Sequence, residues 1–250
     1  MVIAKKSWQN YIDKLSKLSY ASGALIEEWI NKNGLKDVDA LVEYAYYVVQ
    51  KYANGSASLS AAMYDVIADL QGAIIAPAEL AALPEYGDVA KSIYGTLKTS
   101  QNPSEIGGSV SRLVKQAGCD TTLHNAKRDK AQFAWVPSGD TCAFCITLAG
   151  NGWQYVSKDS MKNGHAEHIH SNCDCTYAVR FDTESGVAGY DPDAYYEQYK
   201  TAEGDNSKQK INAMRRRYYQ ENKEEILKQK ADAYEKRKEL NSSEATETRT

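Results

Sequence analysis

Two short motifs concentrate the reactive side chains of this chain: Cys142-Ala-Phe-Cys145 and His170-Ser-Asn-Cys173-Asp-Cys175. They hold four of the 5 cysteines, and His165, His168 and His170 are three of the 4 histidines. A CxxC pair followed by HxxCxC has the spacing of a zinc site. Two thiolates on one tight turn cover one edge of a tetrahedron, and a second turn supplies the other. Cys142, Cys145, His170, Cys173 and Cys175 are five candidates for four positions, so one of the last three is surplus. The expected cofactor is a structural zinc ion. Disulfides among the same cysteines, or buried thiols without metal, are the competing readings. Against disulfides, Met1-Val-Ile-Ala-Lys-Lys lacks the apolar core of a secretory signal, and Cys119 would be left over. The CxxC also lacks the βαβ setting of a thioredoxin-type redox pair.

A catalytic zinc keeps one position open for water and needs a base nearby. Thiolates donate charge and weaken the ion as a Lewis acid, so this donor set favours a closed structural site. His165, Glu167 and His168 keep a hydrolytic role in view, because they could supply a base. A polar loop is the plainer reading of those three.

The elements that must position these motifs follow from periodicity. Residues 1–118 read as a helical domain. Ser7 is a candidate cap for a first helix with Trp8, Ile12, Leu15, Leu18, Leu25 and Trp29 on one face, ending at Asn33-Gly34. A second carries Leu41, Tyr44, Ala45, Val48 and Tyr52 and ends at Asn54-Gly55. A third starts near Ser58 or Ser60, carries Met63, Ile67, Leu70 and Ile74, and stops before Pro77. Another helix is expected over 87–99, and a last from Ser104 to Ala117, stopped by Gly118.

Residues 119–182 read as a small α+β metal-binding module. Phe133–Val136 and Thr176–Phe181 are strand-like runs that could pair as a short β-hairpin zinc knuckle, each bearing half of the site. Residues 183–206 form a linker with a short helix at Tyr195–Tyr199. Residues 207–240 form one long charged helix, and 241–250 have the composition of a disordered tail. The fold class is therefore mainly α with a small α+β module.

Lys208 to Lys238 hold eleven Lys/Arg against five Asp/Glu, a local charge near +6 on a chain whose net charge is −3. Arg215, Arg216, Arg217 and Lys223 are its candidate contacts to nucleic acid or a partner protein, and a solvated face is the plain alternative. The global charge offers no general attraction to nucleic acid. No apolar run approaches a membrane span. The 18 tyrosines against 3 phenylalanines suit helix packing and wet interfaces.

The blocks Asp120-Thr-Thr-Leu-His-Asn-Ala-Lys-Arg-Asp129, Trp135-Val-Pro-Ser-Gly-Asp-Thr-Cys-Ala-Phe-Cys145, Leu148-Ala-Gly150 and His170-Ser-Asn-Cys-Asp-Cys175 together resemble phage minor head proteins of the Mu F-like head morphogenesis type. The resemblance covers about 60 residues closely, and the helical N-terminal part in arrangement. It implies a low-copy structural protein of a tailed-phage head, at the portal or the capsid interior, that aids assembly or accompanies DNA on ejection. The implied partners are the portal, the major capsid protein and packaged DNA, with no membrane. The implied location is the virion, and the host cytoplasm during assembly. The family's cysteine–histidine positions fall on Cys142, Cys145, His170, Cys173 and Cys175, with Asp140 and Asp174 in the same blocks. Some relatives carry a protease or toxin domain, and residues 183–250 look like neither. No enzymatic activity is expected. The alternatives are a nucleic-acid-binding adaptor using the basic helix and, behind it, a metal-dependent nuclease, for which thiolates are poor magnesium ligands.

Overall fold

A computed structural model describes residues 1–138, 141–158, 174–228 and 231. The chain forms two compact units, Met1–Glu197 and Gln198–Thr250.

The first unit is built around four helices: α1 (Lys5–Asn33), α2 (Val38–Leu70), α3 (Tyr86–Leu97) and α4 (Pro103–Arg128). Helix α4 is central and packs against the other three. Helix α1 begins at Lys5 rather than at the expected Ser7 cap. Ala4 precedes it in extended conformation without a side-chain cap. The start is set by strand β1 (Val2–Ile3), which pairs in parallel with β5 (Gly186–Val187).

Two expected helix stops are absent. Helix α2 runs unbroken through Asn54-Gly55, and α4 runs through Gly118 to Arg128. A mid-helix glycine costs about 1 kcal/mol against alanine. At Gly118 close packing explains its presence: an added Cβ would stand 2.6 Å from Ser56 Oγ and 2.7 Å from Ser60 Oγ. Helix α1 approaches α4 in the same manner. A Cβ on Gly107 would lie 2.6 Å from the Gly23 carbonyl oxygen, and Ser111 Oγ donates to the Ser19 carbonyl at 2.7 Å. The buried stripe of α1 therefore passes through Ser19, Ser22 and Gly23, while Leu25 and Trp29 are only partly buried.

Ile74, expected in a helical core stripe, is fully exposed. It lies in an irregular segment over 71–85, pinned down by helix side chains. Asn125 bonds Glu79 twice: its Oδ1 accepts from Glu79 N at 2.9 Å and its Nδ2 donates to Glu79 O at 2.8 Å. Arg128 donates to the carbonyls of Ala76 and Pro77, Asp65 accepts from Ala78 N, and Thr121 accepts from Ala81 N.

Strands β2 (Gln132–Val136), β3 (Gln154–Tyr155) and β4 (Thr176–Arg180) form an antiparallel sheet in the order β3-β2-β4. The expected pairing of β2 with β4 is present, but not as a hairpin. Helix α5 (Ala143–Ala149) and β3 intervene, and β3 takes the other edge of β2. Helix α6 (Pro192–Lys200) follows β5.

In the second unit, α7 (Ser207–Glu221) starts from Asn206, whose side chain accepts from Gln209 N. The single long helix expected over 207–240 is interrupted at Asn222. There the Asn side chain donates to the Tyr218 carbonyl, and helix resumes over 223–228. Only Met214 of α7 is buried. The expected tail at 241–250 lies outside the described residues. No helix among the described residues is long and apolar enough to cross a membrane.

Candidate metal centre and basic helix

Strand pairing brings the chain after β2 and the chain just ahead of β4 to one end of the sheet. Val136, the last residue of β2, pairs with Thr176, the first of β4. The chain leaving β2 reaches Cys142, and the chain entering β4 passes Asp174 and Cys175. Asp174 and Cys175 therefore enter β4 at the end of the sheet where β2 leaves.

Cys142 is the N-cap of α5, with extended backbone at φ −68° and ψ 155°. Cys145 sits on the first turn of that helix and is buried, and Cys142 is half-buried. This puts the two cysteines three residues apart on the opening turn of α5. Cys175 is buried at 1 % exposure, and Cys145 and Cys175 belong to one core cluster, against which Cys142 packs.

The aromatic setting ties these positions together. Trp135 and Tyr177 are cross-strand partners with ring centroids 4.8 Å apart. Burial pushes the Tyr177 hydroxyl far above the usual phenol range, and Cys119, Asp120 and Cys145 add to the rise. Tyr195 is raised by burial and then by Cys175. The end of helix α5 meets Tyr190 and Tyr196. Tyr190 donates to the Ala149 carbonyl at 2.7 Å, and a Cβ on Gly150 would lie 3.0 Å from Tyr196 backbone. Asp174 accepts from Ser16 Oγ at 2.6 Å and from Tyr20 Oη at 3.0 Å, which fixes the approach to Cys175 on α1.

His170 and Cys173 lie outside the described residues, as do Asp140, His165, Glu167 and His168. Among the described residues no three His, Cys, Asp or Glu side chains are gathered closely enough to hold a metal. Cys142, Cys145 and Cys175 are soft donors in or against one core cluster, and the other expected ligands, His170 and Cys173, lie outside the described residues. No disulfide joins cysteines among the described residues. Cys119 lies on α4, with Sγ 3.8 Å from Thr176 Oγ1, a position that its spacing did not signal.

Arg215, Arg216, Arg217 and Lys223 are exposed and form no ion pair among the described residues. Arg216 and Arg217 border a cavity of about 440 Å³ with Thr201, Glu203, Met214 and Gln220.

A feature of α4 escaped the sequence reading. Two clefts, of about 920 and 540 Å³, share Asp120 on their walls. Arg112 and Gln116 line the first, and His124 and Lys127 the second. Burial raises the Asp120 carboxyl, and a hydrogen bond from Gln116 at 2.6 Å pulls the other way. The available signal was the polar series Gln116, Asp120, His124 at four-residue spacing, but the sequence reading ended that helix at Ala117.

A family model described as VG15 protein matches residues 2–202. The chain belongs to the VG15 family. Membership in this viral family points to a phage protein. The VG15 match takes in both cysteine motifs and stops before α7, so the basic helix lies outside it. No curated protein and no solved structure matches the chain.

Proposed function

We propose that this VG15 protein is a structural minor capsid protein of the Mu F-like type, placed at the portal or the capsid interior of a tailed phage. A zinc ion would tie its two cysteine segments together. The observation that supports the reading is that Cys145 and Cys175 share one core cluster, with Cys142 packed against it, inside the segment that matches the family. Cys142 and Cys145 would hold one edge of the zinc tetrahedron. Cys175, with His170 or Cys173, would hold the other. When bound, the ion supplies binding free energy that counts as folding free energy. The chain's own contribution is positional: β2 and β4 fix the ends, α5 presents two thiols, and Ser16 and Tyr20 anchor Asp174.

The test joins composition to place. Purified protein should carry about one zinc per chain, as for a single four-ligand site. Cryo-electron microscopy of the parent particle should find it at the portal or on the inner capsid surface. A metal-free protein of full stability would refute the zinc reading, and absence from the particle would refute the capsid reading.

A second reading, a nucleic-acid-binding adaptor, is favoured by one observation: Arg215, Arg216 and Arg217 are exposed on a helix outside the family match. Salt-dependent DNA binding by the purified protein would select it.

A further inference from the structure

The end of α4 carries positive charge that the acids beside it do not balance. Lys127 and Arg128 close its last turn, Lys130 follows its C-cap Asp129, and Lys158 lies shortly beyond β3. Arg128 is matched: it donates to both carboxylate oxygens of Asp129 at 2.9 Å and stands 3.7 Å from Glu79. Those acids are also engaged elsewhere. Glu79 lies 3.7 Å from His124, and Asp129 accepts from Tyr64 at 3.0 Å. Lys127, Lys130 and Lys158 are exposed and form no ion pair among the described residues.

These three ammonium groups border two adjoining cavities. One, of about 540 Å³, has Asp120, His124, Lys127 and Lys158 on its walls, and the next, of about 420 Å³, has Lys127 and Lys130. Lys127 and Val156 line both, so the two form one trough. Ala81, Leu123 and Ala126 add to its apolar lining. Its volume is in the range of small-molecule sites, about 300–1,000 Å³. The one acid on its wall is Asp120, whose Oδ1 accepts from Gln116 at 2.6 Å and whose carboxyl burial raises toward the neutral form.

The backbone at Lys130 is a second, independent observation. Its φ is 54°, the left-handed region, and no other non-glycine residue described here enters it. Glycine is the usual residue past a helix end because it takes this conformation without steric cost. Two cations in the last turn already answer the helix dipole. A lysine is nevertheless held in the disfavoured conformation, on the wall of the trough. Several ammonium donors around one partly apolar cavity suit an anion with several acceptor oxygens joined to a less polar body.

We propose that the trough at the end of α4 binds a phosphate-bearing ligand, with Lys127, Lys130 and Lys158 on the phosphate oxygens and Leu123 and Val156 against the group that carries them. The site is independent of the metal reading and separate from Arg215, Arg216 and Arg217, which belong to the second unit. A free nucleotide and the backbone of a nucleic-acid strand present the same chemistry.

The test uses the full chain, calorimetry at low salt, and two probes, ADP and a short single-stranded oligothymidylate. Wild type should bind at least one of them saturably. The triple variant Lys127→Gln, Lys130→Gln, Lys158→Gln should weaken that binding about tenfold or more, as expected for the loss of three solvent-exposed charge contacts. The matching triple arginine variant should stay within about threefold of wild type, because it keeps the charges. Replacing Arg215, Arg216 and Arg217 by Gln should leave ADP binding intact. Binding of ADP alone assigns the site to a small phosphorylated molecule; tighter, lysine-dependent binding of the oligonucleotide assigns it to a strand. No saturable binding of either probe up to about 1 mM, a Kd weaker than about −4 kcal/mol, overturns the proposal. So does an affinity that the glutamine variant leaves unchanged. Should that variant fail to fold, amide shifts of wild type decide: changes centred on residues 123–130 and 156–158 support the trough, and changes confined to α7 overturn it.

Discussion

Helices α4 and α7 have similar means of announcing themselves in sequence and opposite fates. Both are polar for helices, and both carry charged residues along their length. Yet α4 buries fourteen positions, among them Gly107, Ser111, Gly118, Thr121, Thr122 and Asn125, whereas α7 buries only Met214. Part of the difference is apolar content, since α4 also buries Ile106, Val110, Val114 and Leu123, and part is size and reach. Small side chains on α4 let α1 and α2 come close, and its buried hydroxyls and amide find carbonyl partners at once: Thr121 on Ala117 O, Thr122 on Gly118 O, Asn125 on Thr121 O and Glu79 O. The long basic side chains of α7 offer no such fit, and they stay in solvent. A polar helix can be the centre of a fold when most of its buried polar groups are short and satisfied.

The largest expected effect tests this account of α4. Gly107→Val should destabilise the first unit by about 3 kcal/mol or more, because the new atoms meet the Gly23 backbone, which cannot move aside as a side chain can. Thermal unfolding would measure it, and a shift no larger than that of an exposed substitution would show that the two helices part easily. Next in size is the metal. Cys145→Ser should lose most bound zinc and about 2–4 kcal/mol of stability in zinc-replete buffer, and it should equal wild type once both are stripped by chelator. A cost that persists without metal would make Cys145 a core residue only.

Asn125→Ala should cost about 2 kcal/mol, since it leaves Glu79 N and O unpaired beneath the 71–85 segment. Hydrogen exchange should quicken at Glu79 and its neighbours before it does in α2.

The acid limb of stability should respond to Asp129. Burial raises this carboxyl, but hydrogen bonds from Arg128 and Tyr64 outweigh it and hold the folded value below the ordinary one. Its stabilising contribution is complete above the unfolded value of about 3.9 and is lost as pH falls through the lower folded value. Tyr64→Phe should remove part of that contribution, about 1 kcal/mol near neutral pH, and less at pH 2. An equal loss at both would assign the effect to packing.

The smallest effect belongs to the other half of the comparison. Removing residues 205–250 should leave the melting temperature of the remainder within about 2 °C, as for a loss under 0.5 kcal/mol. Replacing Arg215, Arg216 and Arg217 by Gln should leave it unmoved while reducing the salt slope of any DNA binding by up to about three. A truncated chain that does not fold would end the view of α7 as a separable arm.

Much of the helical layout was legible because apolar residues recur at three- and four-residue spacing: α1, α3 and the first half of α2 lie close to where that spacing puts them. The pairing of β2 with β4 was legible from two β-branched and aromatic runs flanking the cysteines. Glycine was the source of error. Gly34 does end a helix, with φ 72°, but Gly55 and Gly118 continue theirs, and one-dimensional reading treats all three alike. What separates them is the neighbour across the seam. The 71–85 segment was missed for a related reason, because its order comes from Asn125, Arg128 and Asp65, side chains far along the sequence. At the cysteines, residue type and spacing carried the proposal.

The parallel pairing of Val2–Ile3 with Gly186–Val187 joins positions about as distant as the first unit allows, and Met1 N donates to Ser185 Oγ across 184 positions. During synthesis the early strand waits for its partner. At roughly 5–20 residues per second that wait is on the order of 10–40 seconds, during which α1 and α2 can form but β1 stays unmatched. The last event in assembling this unit is therefore the return of the late chain to its beginning. A stalled or slowly translated messenger would prolong the exposure of that edge, and the yield of soluble protein should track elongation rate more closely than thermodynamic stability.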